Sequence, residues 1–177
     1  MKPILYESLQ DEGLESQVAD RYRAEVDALA RLGFRRLGLY GETLIPAGVL
    51  LLFPVVIAML LKKEVLAWRG FLRITFAYPL MVHHEEQAYA LPLGMGVKFY
   101  TRLMDETLVI TANFPSEEIA NMITKVYKSS SKSGIETAWQ GHREHVDSFI
   151  QGGKAVDGWV SMEKFMALSS REDAEMI

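Results

Sequence analysis

The sequence predicts an α+β protein: a small antiparallel sheet with helices on one side, attached to one hydrophobic transmembrane segment or re-entrant hairpin. Three observations predict it. Residues 43–61, TLIPAGVLLLFPVVIAMLL, carry no charged or amide side chain. Residues 97–111 alternate as two β-rich stretches around a short acidic turn. Apolar residues also recur at helical spacing both before the long run and near the C-terminal end.

The leader, residues 1–13, reads as polar and loosely held. Its first apolar stretch is short and acidic residues follow at once, so it lacks the pattern of a secretory signal. Over residues 14–32, Val18, Tyr22, Val26, Leu29 and Leu32 fall three or four apart, which predicts one amphipathic helix. Gly33 is placed to end it. Residues 34–40, FRRLGLY, read as a strand or a connector. The expected boundaries are therefore 1–42 for the helix and connector, 43–64 for the membrane segment, and 65–177 for the α+β domain. In the hairpin version the membrane segment extends to residue 82.

As a helix rising about 1.5 Å per residue, residues 43–61 span roughly 28 Å, close to the hydrocarbon thickness of a bilayer. Their Leu, Ile, Val and Phe side chains contribute on the order of −4 to −7 kcal/mol of insertion free energy. Pro46, Gly48 and Pro54 return part of that. Lys62-Lys63-Glu64 marks the polar boundary beyond. Residues 65–82 are apolar again but carry Arg69 and Arg73, so a strand over 72–78 behind an interfacial Trp68 is expected.

After Gly94-Met95-Gly96, the stretches 97–103 and 107–111 form the expected hairpin around Met104-Asp105-Glu106. Residues 117–127 carry Ile119, Met122, Ile123, Val126 and Tyr127 at helical spacing behind two glutamates, which predicts a helix. Further helices are expected over 135–150 and 156–169, separated by Gly152-Gly153.

A formal net charge of −4 argues against a nucleic-acid partner, which selects a basic face. The absence of cysteine excludes disulfides, thiolate metal ligands and a Cys nucleophile. All four histidines lie in His83-His84-Glu85-Glu86 and His142-Arg143-Glu144-His145. Imidazole and carboxylate together are zinc, iron or manganese ligands, and His142 and His145 stand three apart on the expected helix. His83, Glu85, His142 and His145 are thus the alternative metal set. The ordinary reading of both clusters is a solvated turn and a charged helix face. Neither HExxH nor G-x-S-x-G is present, and Gly94-Met95-Gly96 lacks the rest of a phosphate loop.

The function expected from these features is a non-catalytic, membrane-anchored accessory or assembly subunit of a larger membrane protein complex. Its partners would be lipid and other subunits, with no cofactor and no catalytic residue. The alternative is a membrane-tethered metal-dependent hydrolase using the two His/Glu clusters. Lys62 and Lys63 at the boundary favour an integral membrane protein with a cytoplasmic C-terminal domain.

Overall fold

The computed structural model describes residues 4–9, 12–44, 66–68, 74–115, 119–121, 125–130, 133–158 and 160–175. In chain order these form β1 (Ile4–Leu9), α1 (Glu12–Arg21), α2 (Arg23–Arg31), β2 (Arg35–Leu44), β3 (Leu66–Trp68), β4 (Ile74–His83), β5 (Ala88–Pro92), β6 (Val97–Arg102), β7 (Leu108–Ala112), β8 (Ile119–Asn121), β9 (Val126–Ser130), α3 (Ile135–Gln151) and α4 (Met162–Glu175). All the strands belong to one nine-stranded sheet in the order β1-β2-β4-β5-β6-β7-β9-β8, with β3 also on β4. Among the described residues every strand pairing is antiparallel except β7 with β9, which is parallel.

This corrects the expected fold class. The sheet is large and mixed rather than small and antiparallel, and helices cover both of its faces. On one face α1, α2 and α3 bury Leu39, Ala77, Met81, Ala90 and Phe99. On the other, Phe165 and Leu168 of α4 pack with Tyr40, Leu80, Val82, Tyr89, Leu91 and Tyr100. Burial on both sides explains why β5 and β7 read as unbroken apolar runs, AYALP and LVITA. Phe165 is fully buried and meets Tyr40 and Tyr100 edge-on at 5.0 and 5.2 Å. Burying such a ring contributes roughly 2–3 kcal/mol.

Several elements depart from their expected form. The leader contains β1, whose full length pairs with β2 from Ile4↔Leu44 to Leu9↔Leu39. The single expected helix is two, parted at Tyr22, whose φ of −108° and ψ of 17° leave the helical region. Its stripe still does the packing: Val18, Tyr22 and Leu29 are buried. Gly33 closes α2 at φ +91°, and an added Cβ there would come within 2.9 Å of the His83 ring. The helix expected over 117–127 is replaced by β8 and β9. Val126 is buried while Tyr127 is only half-buried, an alternation of period two that parallel pairing with β7 imposes over local helical spacing. The last helix begins at Met162, because Val156 instead bridges Leu103 at the base of the β6–β7 hairpin.

That hairpin and α3 form where expected, while the strand expected over 72–78 is β4, which continues five residues further to His83. The expected transmembrane run fares differently. Its first residues, Thr43 and Leu44, are the last two of β2, and the remainder lies outside the described residues. Among the described residues no helix is long and apolar enough to cross a membrane. β2 lies along one edge of β4, so β3 and β5 share the other, β3 against Ile74–Phe76 and β5 against Met81–His83.

Candidate functional site

α3 lies across β6 and β7, and its inward face decides the chemistry of this region. The strands place Phe99 and Thr101 on β6, and Val109 and Thr111 on β7, toward the helix. Ala138, Trp139, His142 and Val146 are the buried residues of α3 that meet them. His142 is 1% exposed, between Phe99 and Trp139, with ring centroids at 5.9 and 5.6 Å.

Both ring nitrogens of His142 have partners. Nε2 lies 2.9 Å from Thr101 Oγ1 and Nδ1 lies 3.0 Å from Thr111 Oγ1. Burial pushes its pKa down to about 3, with the nearby His145 adding to the shift. The ring is therefore a neutral imidazole at ordinary pH, donating through one nitrogen and accepting through the other.

The polar chain does not stop at Thr111. Thr111 Oγ1 is 3.2 Å from Ser129 Oγ on β9, and Ser129 Oγ is 3.3 Å from Nδ1 of His145. A contiguous sequence of hydrogen-bonding groups thus runs Thr101–His142–Thr111–Ser129–His145, from the buried sheet to an exposed helix position. Two shallow cavities flank its outer end. One, of about 220 Å³, is lined mainly by Val109, Ile110, Tyr127 and Phe149 together with Ser129 and His145. The other, of about 340 Å³, is lined by Thr111, Ser129, Ser130, Gln140, Glu144 and His145 among others.

The four residues of the alternative metal set are placed apart in kind. His83 accepts a hydrogen bond at Nδ1 from the Glu86 backbone N–H at 3.2 Å and stacks on Trp139 at 5.6 Å. Glu85 is exposed in the turn after β4, whereas its neighbour Glu86 pairs with Arg143 at 3.1 Å. His142 points into the sheet and His145 to the cavity mouth. No group of three or more His, Asp or Glu side chains among the described residues is arranged to hold a metal ion.

Thr101 and Thr111 carry no motif signal because threonine is an ordinary strand residue, and Ser129 opens the serine-rich stretch 129–134, which reads as a linker but whose first two residues end β9. One signal does exist: Thr101 and Thr111 occupy inward positions of strands that are otherwise apolar on that face, and a buried hydroxyl needs a partner.

A second polar cluster fastens α4 to the sheet. Asp157 accepts from Lys164 Nζ at 2.9 and 3.0 Å and faces Arg102 at 3.7 Å. Tyr89 Oη accepts from the Ser161 backbone N–H at 2.8 Å, and burial raises its pKa. At the β6–β7 turn, Asp105 accepts from the Thr107 backbone N–H at 3.1 Å and faces Lys154 at 3.1 Å. A hydrogen bond from the Thr107 side chain is the largest cause that lowers the Asp105 pKa to about 2, and the Thr107 backbone N–H and Lys154 add to it. These contacts tie Lys154, Asp157 and Ser161, between α3 and α4, to the sheet and to α4.

No family model, curated relative or solved structure matches this chain.

Proposed function

We propose that this chain is a non-catalytic, membrane-associated accessory or assembly subunit of a larger membrane complex, held on the bilayer from one side. The observation that carries the reading is the register at one end of the sheet. Leu44 of β2 pairs with Ile74 of β4, and β3 is already back beside β4 through Leu66↔Phe76. Leu44 and Leu66 thus stand near the same end of the sheet, and the apolar sequence falls between them along the chain.

The length of chain between Leu44 and Leu66 favours one-sided attachment. Even wholly helical it would cover roughly 30 Å, about one bilayer, while crossing and returning needs about twice that. A single crossing would put Leu66 on the far side from Leu44, although both belong to one sheet. Attachment within one leaflet satisfies both constraints, and Lys62 and Lys63 then favour the cytoplasmic leaflet.

The accessory role is preferred to the hydrolase alternative on the geometry of His142. A metal ligand or general base needs a free nitrogen, and Thr101 and Thr111 occupy both. Purification of the native protein in mild detergent tests the reading. Stoichiometric co-purifying chains are expected; a monodisperse lone monomer would overturn it.

A further inference from the structure

We propose that the two cavities beside Ser129 and His145 form one binding trough for a small amphipathic amino alcohol, with its ammonium and hydroxyl head at one end and an apolar arm at the other. This is independent of the membrane reading. Three observations carry it: the way the cavities join, the chemistry each end offers, and a glycine that packing within the chain does not require.

The trough follows one flank of α3. Thr137, Gly141, His145 and Ser148 recur at helical spacing along that flank, and each lines one cavity or both. β9 runs opposite, and its Ser129 is common to the two cavities. β9 is parallel to β7, and Thr111, Ser129 and Ser130 lie at the carboxyl ends of that pair, under the first half of the helix. Open sheets with helices on both faces bind ligands outside the carboxyl ends of their parallel strands.

The two ends differ in chemistry. The cavity of about 340 Å³ offers the hydroxyls of Thr111, Ser129 and Thr137 and the carboxylate of Glu144; among the described residues lining it there is no lysine or arginine. Glu144 accepts from Gln140 Nε2 at 3.1 Å, and a carboxylate has lone pairs for further donors. A primary ammonium brings three donors and no acceptor, which suits such a wall. The cavity of about 220 Å³ is walled by Val109, Tyr127 and Phe149. A dry cavity of about 150 Å³ accepts benzene, so this end has room for an arm the size of one aromatic ring. At the seam, Ser129 Oγ and His145 Nδ1 lie 3.3 Å apart, and the serine can donate or accept, which gives the ligand's hydroxyl a partner.

Gly141 is the independent sign. It lies inside α3, where glycine is a markedly poorer helix former than alanine. A Cβ there would meet nothing within 4 Å. The chain therefore has room for a side chain and omits it on the wall of the polar cavity. A ligand lying against the helix backbone uses that space.

The test is amide-resolved NMR of the full ¹⁵N-labelled chain in detergent micelles, titrated with phenylethanolamine. Saturable shifts centred on Ser129, Gly141 and His145 are expected, with a millimolar dissociation constant. No shift at these residues, or one that rises without saturating as the probe partitions into micelles, would overturn the proposal. Ethanolamine lacks the arm and phenylethanol lacks the ammonium; each should bind about tenfold more weakly or worse. Equal binding by either would overturn the ligand class. Glu144→Gln should weaken phenylethanolamine and leave phenylethanol unchanged; an equal effect on both would count against ammonium recognition. Gly141→Ala is the sharpest variant, because its two effects run in opposite directions. It should raise the unfolding midpoint, as a better helix former, while weakening phenylethanolamine by about tenfold. Unchanged affinity would overturn the site, and a lowered midpoint would overturn the reading of Gly141 as space kept for a ligand.

Discussion

His142 and His145 stand one turn apart on α3, and the sheet beneath treats them oppositely. His142 faces β6 and β7, is stripped of water, and has each nitrogen fixed by a threonine. His145 is rotated away to the cavity mouth, exposed, with Ser129 as its partner. A spacing of three residues turns the helix by roughly 300°, so the two rings share a side only loosely. That offset separates an imidazole packed in the core from one exposed at the surface. The difference teaches that residue type and spacing do not assign a histidine's role; the side of the helix the sheet covers does.

Removing the buried ring should have the largest effect. His142→Ala deletes a ring packed between Phe99 and Trp139 and leaves the Thr101 and Thr111 hydroxyls without their partner. The expected loss is about 3 kcal/mol or more by chemical denaturation. His145→Ala should stay within about 0.5 kcal/mol of the parent. Equal effects would dissolve the contrast.

Acid should separate the two next. The folded-state pKa of His142 is lowered to about 3, so below the unfolded value the unfolded chain binds a proton that the native ring refuses. Stability therefore falls as pH drops. Between about pH 6.5 and pH 5 this single group accounts for roughly 2 kcal/mol. Denaturant midpoints measured across that window give the slope, and His142→Leu should flatten it while His145→Leu should not.

Thr101→Val and Thr111→Val sharpen the comparison from the sheet side. Each leaves one His142 nitrogen unpaired in the core, at an expected cost of about 1–3 kcal/mol in thermal or chemical unfolding. Ser129→Ala, farther out and half-buried, should cost about 1 kcal/mol at most. A Ser129 effect larger than either threonine's would mean that the outer end, and not His142, anchors the chain.

How much of this could be read beforehand follows the range of the forces involved. The β6–β7 hairpin and α3 were legible because alternation and helical spacing are local. The stripe Val18, Tyr22, Leu29 was legible for the same reason, although the break at Tyr22 was not. β9 was not legible: Val126 and Tyr127 fit a helical period, and only pairing with β7 makes them a strand. β1 was missed because its partner, β2, lies some thirty residues on, across two helices. The histidine clusters were visible as letters. Their division into a buried and an exposed member depended on strand register, which brings Thr101 of β6 and Thr111 of β7 under one side of α3.

Attachment to the bilayer from one side is the central claim, and the absence of cysteine makes it directly measurable. Ser8 on β1 and Ser170 on α4 are both exposed, and β1 and α4 belong to the same packed domain. Ser8→Cys and Ser170→Cys, each the sole cysteine of its chain, can be treated with a membrane-impermeant maleimide in right-side-out and inside-out vesicles. The account predicts that both react in the same preparation, the inside-out one, with neither reacting in the other. Reaction of Ser8→Cys in one preparation and Ser170→Cys in the opposite one would contradict it.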